Sequence, residues 1–187
     1  TTEKIKATAN EFTNMVINGD STGNSGEFDG LNKLLAGTET EITSEVDVST
    51  SALMDTNHNA LLDEIDGFLS TLIGKPSMLL MNNKMLTKLR SAARRAGYYT
   101  RSENALGQAV EAYNGIPLMD VGKYFDGTNE KDIIPITTVG KTDIYAVTIG
   151  LNGFHGISPT GSKVISTYLP DLTQPGAVKD GDVELIA

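Results

Sequence analysis

The chain has 187 residues, 39% of them hydrophobic and 21% charged, which is an ordinary composition for one globular domain with its own core. A formal net charge of −9 argues against general affinity for nucleic acid, because phosphate binding needs a cationic face. The absence of cysteine excludes disulfides, thiolate zinc sites, iron–sulfur clusters and cysteine nucleophiles, and no run of about 18 apolar residues offers a transmembrane helix.

The first residues, Thr1 to Lys6, lack the apolar core of a signal peptide. With no initiator Met, and with Val183-Glu184-Leu185-Ile186-Ala187 stopping as if inside a strand, the sequence is expected to be a piece of a longer chain. Over residues 3–18, Ile5, Ala9, Phe12 and Val16 recur at helical spacing, predicting the end of a longer helix. Gly19 to Gly26 is glycine-rich and polar, predicting a loop. Phe28 to Leu35 is a short apolar cluster closed by Gly37, and Thr38 to Ser49 is expected to be a weak edge strand or a linker.

From Ser51 to Ile73, Leu61, Ile65, Phe68, Leu69 and Leu72 fall on one face of an amphipathic helix, which Gly74-Lys75-Pro76 stops. Ser77-Met78-Leu79-Leu80-Met81 is a continuous apolar run of the kind found in a strand covered on both faces. Asn82 is placed to cap a helix running through Ala96, with Met85, Leu86, Leu89 and Ala93 turned inward and Gly97 beyond its end. Gln108–Tyr113 and Ile116–Val121 flank Asn114-Gly115, a dipeptide suited to a tight primed turn, and so predict a β-hairpin. Further strands are expected at Asp132–Thr137, Ile144–Ile149, Lys163–Tyr168 and Val183–Ile186, with a long exposed loop from Gly150 to Gly161.

Motifs that carry chemistry are weak. Asp55, Asn57, Asn59 and Asp63 match positions 1, 3, 5 and 9 of a calcium loop. Ala60 stands where the loop needs glycine, Asp66 where it needs a bidentate glutamate, and the segment runs into the helical pattern. Gly74-Lys75-Pro76-Ser77 has the wrong spacing for a phosphate loop and follows a helix rather than a strand. His58 and His155 lie far apart and form no metal-binding pair, and no Gly-x-Ser-x-Gly nucleophile elbow occurs. No catalytic, cofactor-binding or metal-binding residue is therefore expected. Charge is instead segregated: acids crowd residues 27–66 with only Lys33 among them, while Lys84, Lys88, Arg90, Arg94, Arg95 and Arg101 occur with no acid between them. The plainer interpretation is two solvated helix faces; the functional one is complementary edges of neighbouring copies.

Three segments carry a resemblance. They are Phe12-Thr13-Asn14-Met15-Val16-Ile17-Asn18-Gly19-Asp20 with Glu27-Phe28-Asp29-Gly30-Leu31, then Lys75-Pro76-Ser77-Met78-Leu79-Leu80-Met81-Asn82 with Leu86, Leu89 and Arg90, and then Tyr113-Asn114-Gly115-Ile116-Pro117-Leu118. In this order, over residues 12 to about 150, they resemble the major capsid proteins of tailed bacteriophages, the Hong Kong 97-like family that includes encapsulin shells. The family's N-terminal arm, extended β-hairpin loop and the front of its spine helix have little counterpart here.

The resemblance implies an α+β fold with a mixed sheet flanked by helices. Residues 1–45 would be the end of the spine helix and a connector, and 46–187 the axial domain with C-terminal strands that need not be complete. It implies a structural, non-enzymatic subunit without cofactor that self-assembles into the icosahedral head of a phage or prophage, in the host cytoplasm. Its partners would be copies of itself in hexamers and pentamers, with scaffold and portal proteins, and no membrane. The resemblance also places the loop at Gly150–Gly161, or the one near Gly97–Gly107, by the capsomer centre. An encapsulin-like compartment is the alternative within the family, and a small calcium-dependent binding module the alternative outside it.

Overall fold

The computed structural model describes residues 2–97, 100–103, 109–157, 165–168 and 182–185. The chain is an α+β fold built on one mixed sheet. Its elements are helices α1 (Thr2–Asn18), α2 (Leu31–Leu35) and α3 (Ser51–Thr71), strand β1 (Met78–Met81), helix α4 (Asn83–Arg95), and strands β2 (Thr100–Glu103), β3 (Ala109–Tyr113), β4 (Ile116–Asp120), β5 (Lys123–Phe125), β6 (Glu130–Asp132), β7 (Ile144–Val147), β8 (Ile165–Tyr168) and β9 (Asp182–Leu185). Five strands form the main sheet in the order β2-β3-β4-β1-β7; β5 with β6, and β8 with β9, form separate two-stranded ribbons.

β1 runs parallel to β4 and antiparallel to β7, and its register assigns each side chain to a face. Leu79 lies opposite Ala146 and Leu118, and Met81 opposite Ile144; all belong to a first core with Met54, Leu61, Leu62 and Ile65 of α3 and Leu89 and Ala92 of α4. Met78 lies opposite Val147 and Leu80 opposite Tyr145; these belong to a second core with Ile17 of α1, Leu31 of α2, Ile133 and Ile134. The uninterrupted Met-Leu-Leu-Met run is thus explained by apolar layers on both faces.

Local signals place the elements that flank this strand. Thr50 caps α3 by accepting from Leu53 N, and Asn82 caps α4 by accepting from Lys84 N at 2.8 Å. Asn114 (φ 51°) and Gly115 (φ 69°) both adopt the left-handed conformation that a two-residue primed turn requires. The close of α1 depends on two further glycines. Gly30 N donates to Gly19 O at 2.8 Å, and a Cβ on Gly30 would stand 2.6 Å from Ile17 O. Only backbone fits there, which lets the connector cross the helix end in contact.

Several sequence expectations are corrected. Of the two expectations for Thr38–Ser49, the linker holds and the edge strand does not; its only partly buried side chains, Val46 and Val48, rest on the first core. The expected strand Asp132–Thr137 stops at Asp132, because Ile133 and Ile134 both turn into the second core rather than alternating. The strand expected to reach Ile149 ends at Val147. The region near Gly97–Gly107, expected to be a loop, contains β2, and β5 was not anticipated because three residues carry too short a pattern. Lys163, Val164 and Ile186, from the ends of two expected strands, lie outside the described residues, as do Pro159 and Gly161 of the expected 150–161 loop.

Two asparagines hold the Ile133–Ile134 segment. Asn18 Nδ2 donates to Ile133 O and Asn82 Nδ2 to Ile134 O, each at 2.7 Å. Asn82→Ala removes a helix cap and leaves a buried carbonyl unsatisfied, so it should lower stability by about 1–3 kcal/mol in chemical denaturation. Asn82→Ser, which keeps a cap but cannot reach Ile134, should recover part of that loss. Gly30→Ala should destabilise severely, whereas Gly67→Ala, inside α3 one turn before its end and with open space at its Cβ position, should stabilise by about 0.5–1 kcal/mol.

Candidate assembly surface

The calcium-like residues do not form a loop. Asp55, Asn57, Asn59, Asp63 and Asp66 all lie within α3; at 1.5 Å per residue Asp55, Asn59, Asp63 and Asp66 are strung over about 16 Å of one side of the helix, with Asn57 on another side, so they do not close around one ion. Asp55 is bound to Arg95 Nε at 2.5 Å, and Asn57 Nδ2 donates to Asp47 O at 2.7 Å. Gly74 to Ser77 is a connector from α3 to β1, and Ser77 Oγ accepts from Ile149 N. His58 and His155 are not brought together; their Nδ1 atoms bond locally to Asp55 O and Gly153 O, each at 3.0 Å. Among the described residues no group of three or more His, Asp or Glu side chains is arranged to hold a metal. A cleft lined by Leu89, Arg90, Ala93, Glu111, Ala112, Tyr113 and Leu118 encloses about 10 Å³, room for one water at most. No helix among the described residues is long and apolar enough to cross a membrane.

The segregated charges become two neighbouring helix faces. α3 and α4 pack against each other on one side of the sheet, and part of their complementarity is used inside the chain. Arg95 pairs with Asp55, Lys88 Nζ donates to Ser49 O at 2.7 Å, and Arg90 pairs with Glu111 of β3 at 2.8 Å. Asp63, Glu64 and Asp66 remain exposed on α3, and Lys84 and Arg94 on α4. The charge division seen in the sequence therefore survives on the outer surface, reduced by the pairs along the seam.

Large apolar side chains are exposed at connections. Leu151 is 89% and Ile157 80% exposed, and Ile149 and Phe154 accompany them in the segment after β7. Ile73, which follows α3, is also fully exposed. Single exposed apolar residues are ordinary; here four fall within nine residues of one connection.

One cluster was missed by sequence reasoning, which read residues 19–26 only as a loop. Lys33 Nζ is held by Asp20 Oδ1 at 2.6 Å, Asp29 Oδ1 at 2.8 Å and Thr22 Oγ1 at 2.8 Å, so one ammonium gathers the whole connector after α1. The lone lysine among the acids of residues 27–66 was the available signal. The Lys33 ammonium, followed by the Ser21 hydroxyl and N–H, holds the Asp29 carboxyl down at about 2. Lys33, and then the Thr22 hydroxyl, hold Asp20 well below the usual carboxylate range. In the second core, burial first and then the Asp143 charge push the Tyr145 phenol up to about 12.

Because the folded pKa of Asp29 lies below its unfolded value of 3.8, its contribution is complete above 3.8 and is lost as pH falls toward 2. NMR titration should show the Asp29 carboxyl changing near pH 2, and Lys33→Gln should move that midpoint up toward 3.8. Added calcium should leave the melting temperature unchanged, since α3 offers no convergent oxygen cage; a shift of several degrees reversed by chelator would contradict this assignment.

No family model, curated protein or solved structure matches this chain.

Proposed function

We propose that this chain is a structural subunit that assembles with copies of itself into a shell, as the major capsid protein of a tailed phage does. The supporting observation is that the three segments carrying the sequence resemblance converge on one strand. Lys75-Pro76 leads into β1 and Asn82 closes it. The Asn114-Gly115 hairpin supplies β4, the parallel neighbour of β1. The connector after α1 delivers Ile17 and Leu31 onto the opposite face of the same strand, against Met78 and Leu80. Segments that would be unrelated turns in an arbitrary fold are here parts of one packed unit.

The surface is compatible with tiling. Exposed apolar side chains after β7 and oppositely charged helix faces provide polar and apolar contact area spread over the molecule, as subunit interfaces require. A head-to-tail arrangement of identical subunits closes into rings, which is how pentamers and hexamers arise.

The protein, examined by light scattering and negative-stain microscopy with scaffold protein supplied, should form closed particles or capsomer rings. A monodisperse monomer at high concentration would overturn the proposal.

A further inference from the structure

We infer that the exposed acidic side of α3 docks on the exposed basic side of α4 in a second copy of this chain, head to tail. The inference rests on the assembly reading above and names its contact. Asp63, Glu64 and Asp66 face solvent on α3, and Lys84 and Arg94 face solvent on α4. Among the described residues, Asp63, Asp66, Lys84 and Arg94 take part in no ion pair.

The intrachain pairs explain why these four are left over. Asp55–Arg95 and the Lys88 bond to Ser49 O occupy the seam where the two helices meet. What the seam does not use lies on outward surfaces of opposite sign, carried by two helices of one molecule. Such a molecule is complementary to a copy of itself. Placing the α3 side of one copy against the α4 side of the next leaves one acidic and one basic side open at the ends, so the contact repeats until a ring closes. Exposed charges attract over about 8–10 Å at moderate ionic strength, so this contact orients neighbours and weakens with added salt.

The test compares the unsubstituted protein with three variants: Asp63→Lys/Asp66→Lys, Lys84→Glu/Arg94→Glu, and all four substitutions together. Circular dichroism and thermal melts establish that each is folded, and the neutral pair Asp63→Asn/Asp66→Asn serves where a reversed variant is not. Light scattering at low and high salt reads the assembly. Each reversal alone should raise the concentration needed for assembly by about ten-fold or more, and the neutral pair should do so to a smaller degree. Combining all four substitutions in one chain should restore assembly, and mixing the two reversed variants should restore even-membered rings in which they alternate, because each changed surface again meets its opposite. Reversed variants that assemble like the parent, or a failure of both restorations, would overturn the contact. Assembly that stops at pairs would overturn its head-to-tail geometry. A parent that does not assemble at all would overturn the shell reading itself, which separates the two failures.

Discussion

A four-residue strand, β1, joins the two apolar cores of the described residues. Both of its faces are covered, with Leu79 and Met81 buried against α3 and α4 while Met78 and Leu80 meet α1, α2 and the Ile133–Ile134 segment. A one-residue slip in its pairing with β7 would exchange the two sets and put every side chain into the wrong layer. Because both layers are apolar, composition alone does not prevent that slip. Polar contacts at the end of the strand do: Asn82 binds the first turn of α4 on one side and Ile134 O on the other, and so fixes where β1 stops.

The same asparagine links the two cores. Asn18, at the end of α1, binds Ile133 O, the carbonyl next to the one held by Asn82. A buried backbone segment without strand pairing thus has its acceptors satisfied by side chains from two different helical elements, as burial of polar backbone demands. The Gly19–Gly30 backbone contact and the Lys33 cluster hold the chain between α1 and α2 with little apolar area. The first part of the chain is thus joined to the sheet by the apolar second core together with directed hydrogen bonds.

Chemistry in this protein is distributed over its surface. Acidic and basic helix faces lie side by side and neutralise each other only along their seam, while apolar side chains are exposed in the connection after β7. Opposed charges of this kind set orientation and register between partners, and exposed apolar groups contribute area once orientation is set.

Local patterns in the sequence determined the elements at the centre of the fold. The helical spacing of Leu61, Ile65 and Leu69, the Met78–Met81 run, the Asn82 cap and the Asn114-Gly115 turn are each specified by neighbours within a few residues, and each stands where the pattern places it. The mixed α+β class follows from them. Tertiary structure alone decided the rest. Ile133 and Ile134 have the composition of a strand, yet they are buried without one because two distant asparagines supply the bonds a ladder would have made. The linker at residues 38–49 alternates like a strand but pairs with no strand among the described residues. Asp55 heads a weak match to a calcium loop that the sequence already argued against; the structure makes it an ion-pair partner, because packing of α3 on α4 brings Arg95 close. Sequence sets what each segment can do locally; which of two compatible roles it takes depends on groups forty or more residues away.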